Sequence, residues 1–304
     1  MISEHFRLSY TECRDALLAR LKEPAPGRIQ LLSGPRQVGK TTLLLELARS
    51  LGGQALYAAA DSPEASLPGH WERLFGRAEE RAAAHGRAVV LLDEAHLLHD
   101  WAARLKGIAD GHRRRRIPVH IVATGSSALR LAAGSRETLA GRFERLTLTH
   151  WSASSLAREF GIGARDAADL AVRMGTYPGA FHLRKDPARW AAYVHDAILE
   201  PAIGRDILAL SAVRRPALLR QVFAVAASSP AQIMSLQKMQ GRLQDPGALE
   251  TIAHYLSLLE EASLVAPIPK YSPRALRRRS SPPKLVTLSN ALVAVMAPPG
   301  AAAV

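Results

Sequence analysis

Residues 28–46 read RIQLLSGPRQVGKTTLLLE. Ile29–Ser33 is a short β-type run, and the leucines after Lys40 recur at helical spacing. Between them, Gly34-Pro35-Arg36-Gln37-Val38-Gly39-Lys40-Thr41 fits G-x-x-x-x-G-K-[ST] without mismatch, and Thr42 follows. A strand, a glycine-bearing turn and a helix start in that order present backbone N–H groups to an anion. Gly34 and Gly39 give the backbone freedom to curl around phosphate. Lys40 has the reach for β- and γ-phosphates, and the Thr41 hydroxyl suits Mg²⁺. The stretch therefore predicts an α/β phosphate-loop nucleotide-binding core and leaves one question open: whether the phosphate is cut or only sensed.

Further apolar runs lie outward from this point at Ala55–Ala60, Ala88–Leu92, Val119–Thr124 and Leu146–Thr149. Helical segments separate them. Continuous apolar runs alternating with helices predict a parallel sheet buried on both faces. Residues 8–22 form an amphipathic helix ahead of it, closed by PAPG at 24–27.

The third run ends in Asp93-Glu94. A carboxylate at the end of a buried strand is costly unless it meets a cation. Asp93 is the candidate metal ligand beside Thr41, and Glu94 the candidate base for the attacking water. Glu94 favours cutting over sensing. GTPases usually carry an Asn-Lys-x-Asp element, and this chain has none. The fourth run ends in Thr124-Gly-Ser126-Ser127, hydroxyls that either sense the γ-phosphate and its water or cap a helix. Arg142, just before the fifth run, is a candidate to reach a neighbour's γ-phosphate. His96 and His99 are spaced i, i+3 but lack a third metal ligand.

After His150 the pattern turns helical. Helices are expected at 217–227, 231–241 and 248–261, then strands at 263–268 and 284–288 flanking an Arg-rich loop. Three helices followed by a ribbon is the order of a winged helix. The expected organisation is an N-terminal helix (1–27), the core (28–150), a helical lid (151–215), a winged-helix-like domain (216–290) and a tail (291–304). The third helix with its cap, DPGALETIAHYLSLLEE, holds four carboxylates and no Lys or Arg, so it would repel a duplex. Basic clusters stand instead at Arg113–Arg116 and Arg277–Arg279, as candidate nucleic-acid contacts.

The net charge is +13 over 304 residues, which favours acidic partners. Only 7 of the 40 cationic residues are lysine, a bias that reads as base composition and weakens the charge as a sign of nucleic-acid binding. No apolar run reaches the length of a membrane helix, and no signal peptide opens the chain. The single cysteine, Cys13, fits a reducing compartment. A cytoplasmic protein with no membrane contact is expected.

SGPRQVGKTTLL, VVLLDEAHLLHDW, ATGSSAL, LAGRFERLTLTHWS, GTYPGAF and LSLLEEASLV together resemble a prokaryotic family. In it an AAA+-like P-loop ATPase (ASCE/STAND-like) is fused to a C-terminal domain of unknown function. The resemblance runs from about Ile29 to about Leu292. It implies a five-stranded sheet in order 5-1-4-3-2, then a helical lid and a winged-helix-like region. The phosphate-loop and Asp93-Glu94 motifs themselves call for ATP and Mg²⁺, the acidic third helix for a protein partner, and the placing of Arg142 for a homo-oligomer. Gly175-Thr-Tyr-Pro178 resembles the turn that lies against the nucleotide in related signalling ATPases, which makes Pro178 a candidate contact. Members often continue into a nuclease-like region and carry an aspartate where Ser289-Asn290 stands here.

Overall fold

In the computed structural model, residues 7–125, 138–208, 213–271 and 281–296 are described. They divide into two units. The first holds the chain up to Gly34 and Val38–Thr149; the second holds Pro35–Gln37 and the chain from His150 onward.

The first unit is built on a parallel sheet of six strands: β1 (Arg7–Leu8), β2 (Ile29–Ser33), β3 (Ala55–Ala59), β4 (Ala88–Asp93), β5 (Val119–Gly125) and β6 (Phe143–Leu148). Their order is β1-β6-β2-β5-β4-β3. The five strands expected from the apolar runs thus stand in the 5-1-4-3-2 order. The added member is β1, which pairs with β6 through Arg7–Thr147 and Leu8–Leu148. Every residue of β2, β4 and β5 is buried, so these strands carry no polar alternation.

Helix α1 (Tyr10–Arg20) opens on a capping box: Ser9 Oγ accepts from the Glu12 N–H, and Glu12 Oε2 accepts from the Ser9 N–H at 2.8 Å. It buries Cys13, whose thiol is pushed up to about 12 by that burial and is therefore an inert thiol at neutral pH. Helix α2 (Lys40–Leu51) turns Leu43, Leu44 and Leu47 inward. Helix α3 (His70–His85) buries Trp71, Leu74, Phe75, Ala78 and Ala82 at helical spacing. Helix α4 (Trp101–Arg115) runs back to the start of β5.

The second unit is mostly helical. Helices α5 (Ala153–Phe160), α6 (Ala164–Met174), α7 (Pro178–Phe181) and α8 (Pro187–Tyr193) come first. Two π-helical stretches, Val194–Leu199 and Ala202–Ile207, follow α8. Then come α9 (Pro216–Ala227), α10 (Leu236–Gln240) and α11 (Leu249–Glu261), and an antiparallel ribbon of β7 (Val265–Ile268) and β8 (Lys284–Thr287). Helix α12 (Asn290–Ala294) ends the described chain. Phe223, Leu219, Ile252, Leu259 and Val265 lie in one core.

The helix expected over 231–241 is shorter than its sequence pattern. Residues 231–234 run along β8 instead, after a left-handed turn at Ala231: the Ala231 N–H bonds Leu285 O at 2.7 Å, and the Met234 N–H bonds Pro283 O at 3.0 Å. Ser235 then caps α10, accepting from the Lys238 N–H at 3.1 Å. Backbone pairing to a ribbon fifty residues downstream overrides local helix propensity here. Among the described residues no helix is long and apolar enough to cross a membrane.

Candidate functional site

The loop leaves the C-terminal end of β2 and enters α2. Gly34 has no room for a side chain, because an added Cβ would collide with Leu148 O on β6. Gly39 caps α2 in the left-handed region at φ +97°, and no side chain caps the first turn. The start of that twelve-residue helix thus offers its N–H groups to an anion. Lys40 is buried at 6% exposure, and its Nζ donates to Gly34 O at 3.0 Å across the loop.

Beside it stands Asp93, 4% exposed at the end of β4. Its carboxylate accepts from the Thr41 hydroxyl at 2.7 Å and the Tyr57 hydroxyl at 3.2 Å. It also accepts from the Thr124 hydroxyl, and from the Glu94 N–H at 3.2 Å. Sheet order explains the convergence: β3 and β5 flank β4, so Tyr57 and Thr124 arrive from either side while Thr41 comes from α2. Burial first, then the charge of Asp93, lifts the Tyr57 phenol well above the usual tyrosine range, so it stays a donor. The hydrogen bonds that hold Asp93 among the described residues all come from neutral donors. A buried carboxylate beside a hydroxyl is a hard-oxygen set that fits Mg²⁺, and the helix start with Lys40 fits phosphate.

Glu94 follows in the left-handed region at φ +50°, unusual for a residue with a side chain. Its N–H also bonds Thr124 Oγ1 at 3.1 Å, so one hydroxyl touches both acidic residues' segment. Its carboxylate lies 3.3 Å from Nδ1 of His96, whose side chain is 3% exposed. No group of three metal-ligating side chains occurs among the described residues.

The structure thus brings together Gly34, Gly39, Lys40, Thr41, Asp93, Glu94 and Thr124, with Thr42 exposed on α2 and Val38 buried. It does not bring Arg142 to them. That residue precedes β6, its carbonyl bonded to the Ile29 N–H at the start of β2, whereas the loop follows the other end of that strand. Its guanidinium holds Asp110 at 2.8 Å. Arg113–Arg116 are exposed at the end of α4, with Arg115 paired to Glu79 at 2.7 Å. Ser126 and Arg277–Arg279 lie outside the described residues.

Pro35–Gln37 belong to the second unit. There Arg36 makes two 2.6 Å bonds to Asp206, and the Tyr193 hydroxyl donates to Gln37 Oε1 at 3.3 Å. Pro178 starts α7, and its neighbour Gly179 lies against Tyr193. Sequence reasoning missed Tyr57, Tyr193 and Asp206, and weighed His96 only as a metal ligand. An acid within the apolar AIGRDIL was the one readable signal among them.

Residues 26–157 match the model of an AAA domain, and residues 165–301 match a domain of unknown function, DUF8612. Uncharacterized proteins of Mycobacterium bovis and Mycobacterium tuberculosis are 30% identical over 281 residues, covering 89% of this chain and 56% of theirs. The chain therefore spans about half the length of these relatives. ATPase family gene 2 protein homolog B of Mus musculus is 40% identical over 72 residues, 22% of this chain and 10% of that one. A solved structure of a Thermotoga maritima RuvB variant overlaps 92% of this chain and 94% of its own at TM-score 0.45 and 17% identity.

Proposed function

We propose that this chain, whose N-terminal half carries an AAA domain, is a Mg²⁺-dependent ATPase that acts as a molecular switch in the cytoplasm. The observation that carries the reading is the Asp93 carboxylate bonded to the Thr41 hydroxyl, with Glu94 next in line. In this reading Lys40 and the N–H groups at the start of α2 bind the β- and γ-phosphates. Thr41 and Asp93 hold Mg²⁺, which when bound neutralises charge on the phosphate oxygens. Glu94 takes the proton of the attacking water. Thr124, and Ser126 beyond it, position that water or sense the γ-phosphate. Arg142 serves a neighbouring copy, since its place at the far end of the strands suits no role in its own site. Pro178 contacts the nucleotide, as the family resemblance implies.

The order α9, a non-helical stretch over 231–234, α10, α11 and ribbon supports a winged-helix-like module, with the nucleotide state setting its pose. A winged helix usually reads DNA with its third helix. Here α11 exposes Glu250, Glu260 and Glu261 and has no Lys or Arg, which favours a protein partner on that face. DNA contact through Arg113–Arg116 and Arg277–Arg279 is the second reading, supported by the exposure of Arg113–Arg116.

The test is steady-state ATP hydrolysis over a range of protein concentrations, with and without duplex DNA. Lys40→Ala should weaken ATP binding about 10- to 100-fold, as expected for losing a charge-assisted bond of about 1.5–3 kcal/mol, and should stop turnover. Specific activity rising with protein concentration supports a neighbour's contribution through Arg142. ATP bound in a Lys40-dependent way with no turnover under any condition would leave the loop a sensor and overturn the hydrolase reading.

A further inference from the structure

We propose that Asp206 is a positioning residue for the phosphate loop, and that Arg36 serves it as the loop's handle rather than as a ligand for phosphate. The π-helical stretch Ala202–Ile207 buries Ala202, Ile203 and Ile207, and among them Asp206 is 5% exposed. A carboxylate in such surroundings is retained only against a cation with matched hydrogen bonds. Arg36 supplies that match: its Nε and Nη2 each donate to a separate oxygen of Asp206 at 2.6 Å. The planar fork is what a lysine could not provide. An Arg36 engaged at both donors has its guanidinium plane fixed by Asp206.

A second tie lies beside the first. Gln37, in the left-handed region at φ +58°, accepts from the Tyr193 hydroxyl at 3.3 Å. Gly179 makes room for that bond, since a Cβ there would stand 2.6 Å from the Tyr193 oxygen and 3.6 Å from Gln37 Oε1. Two consecutive residues of the loop tip are therefore held by side chains 170 and 156 positions further along the chain. Gly34 and Gly39 flank the tip and give its backbone the freedom to follow those holds. The stretch from Tyr193 to Asp206 sets the pose in which the tip meets its ligand, and π-helical turns are a frequent mark of functional positions.

The proposal rests on the reading of the loop as an ATP site, so its test has one readout independent of ATP. In nucleotide-free protein, Asp206→Asn, which keeps shape and loses charge, should speed amide hydrogen exchange of the peptide spanning residues 36–40 by about tenfold, with strands β4 and β5 unchanged. Titration with a fluorescent ATP analogue and Mg²⁺ should then show about tenfold weaker binding. Arg36→Ala should give the same loss, and the double variant no more than either single one. Arg36→Lys should fall between. Unchanged exchange in Asp206→Asn, or losses that multiply in the double variant, overturns the proposal. Faster loop exchange in a protein whose wild type binds no ATP leaves Asp206 as the loop's positioner and removes the ATP reading instead.

Discussion

Glu94→Gln is expected to cut ATP turnover by roughly 10²–10⁴-fold, the range of a lost general base, while ATP affinity stays within about threefold. The two outcomes separate because of how the residue is held. Its backbone N–H bonds Thr124 and Asp93, and a glutamine keeps that bond. Asp93 keeps all its donors, so Thr41 and the proposed Mg²⁺ corner are undisturbed. Only the side-chain oxygen able to accept a proton from water is lost, together with its charge 3.3 Å from His96. Phosphate release at saturating Mg²⁺-ATP, beside an equilibrium titration with the same nucleotide, reads both quantities. Turnover that survives at the parent's rate would remove Glu94 from the chemistry.

Gly175→Ala is expected to destabilise the second unit by roughly 2–5 kcal/mol, combining the cost of a side chain in a backbone region kept almost to glycine with overpacking. Gly175 sits at φ +71°, and an added Cβ would stand 2.5 Å from Ala291 N and 2.6 Å from Ser289 Oγ. The nearest obstacle is backbone, so no rotamer change relieves it. Gly161→Ala is the internal control, at φ +62° with nothing within 4 Å of its Cβ position. It carries only the cost of the ordinary left-handed region (ψ +33°, against −165° at Gly175), about 1–2 kcal/mol. At about 2–4 °C per kcal/mol for a unit of this size, the two variants should melt several degrees apart. Equal melting temperatures would show that α12 gives way freely and that the close approach is not binding.

Much of the nucleotide half was legible because its strands are buried on both faces. Such strands show as plain apolar runs, and they end at Ser33, Asp93 and Gly125, beside the candidate site residues. Tyr57 was not legible, since a tyrosine in a β-run serves equally as core packing, and only the sheet order puts its hydroxyl at Asp93. Asp206 was hidden by distance, its partner lying 170 positions away. The early part of the expected 231–241 helix failed for a related reason: its amides are claimed by β8, which no local window contains. The reading of Gly175-Thr-Tyr-Pro178 as a nucleotide contact came from resemblance. Its glycine has a separate explanation in the close packing of α12.

The pairing of β1 with β6 spans two residues and so covers one border of the sheet only at its loop-bearing end, beside Thr147 and Leu148. An uncovered border strand invites another chain to add to it. Leu8 O also accepts from the Thr149 N–H at 3.0 Å, so the last bonding position of that border is occupied by the chain itself. The N-terminal segment thus occupies that corner of the border in place of another chain, and a fusion partner joined close before Arg7 is expected to strain this two-residue latch.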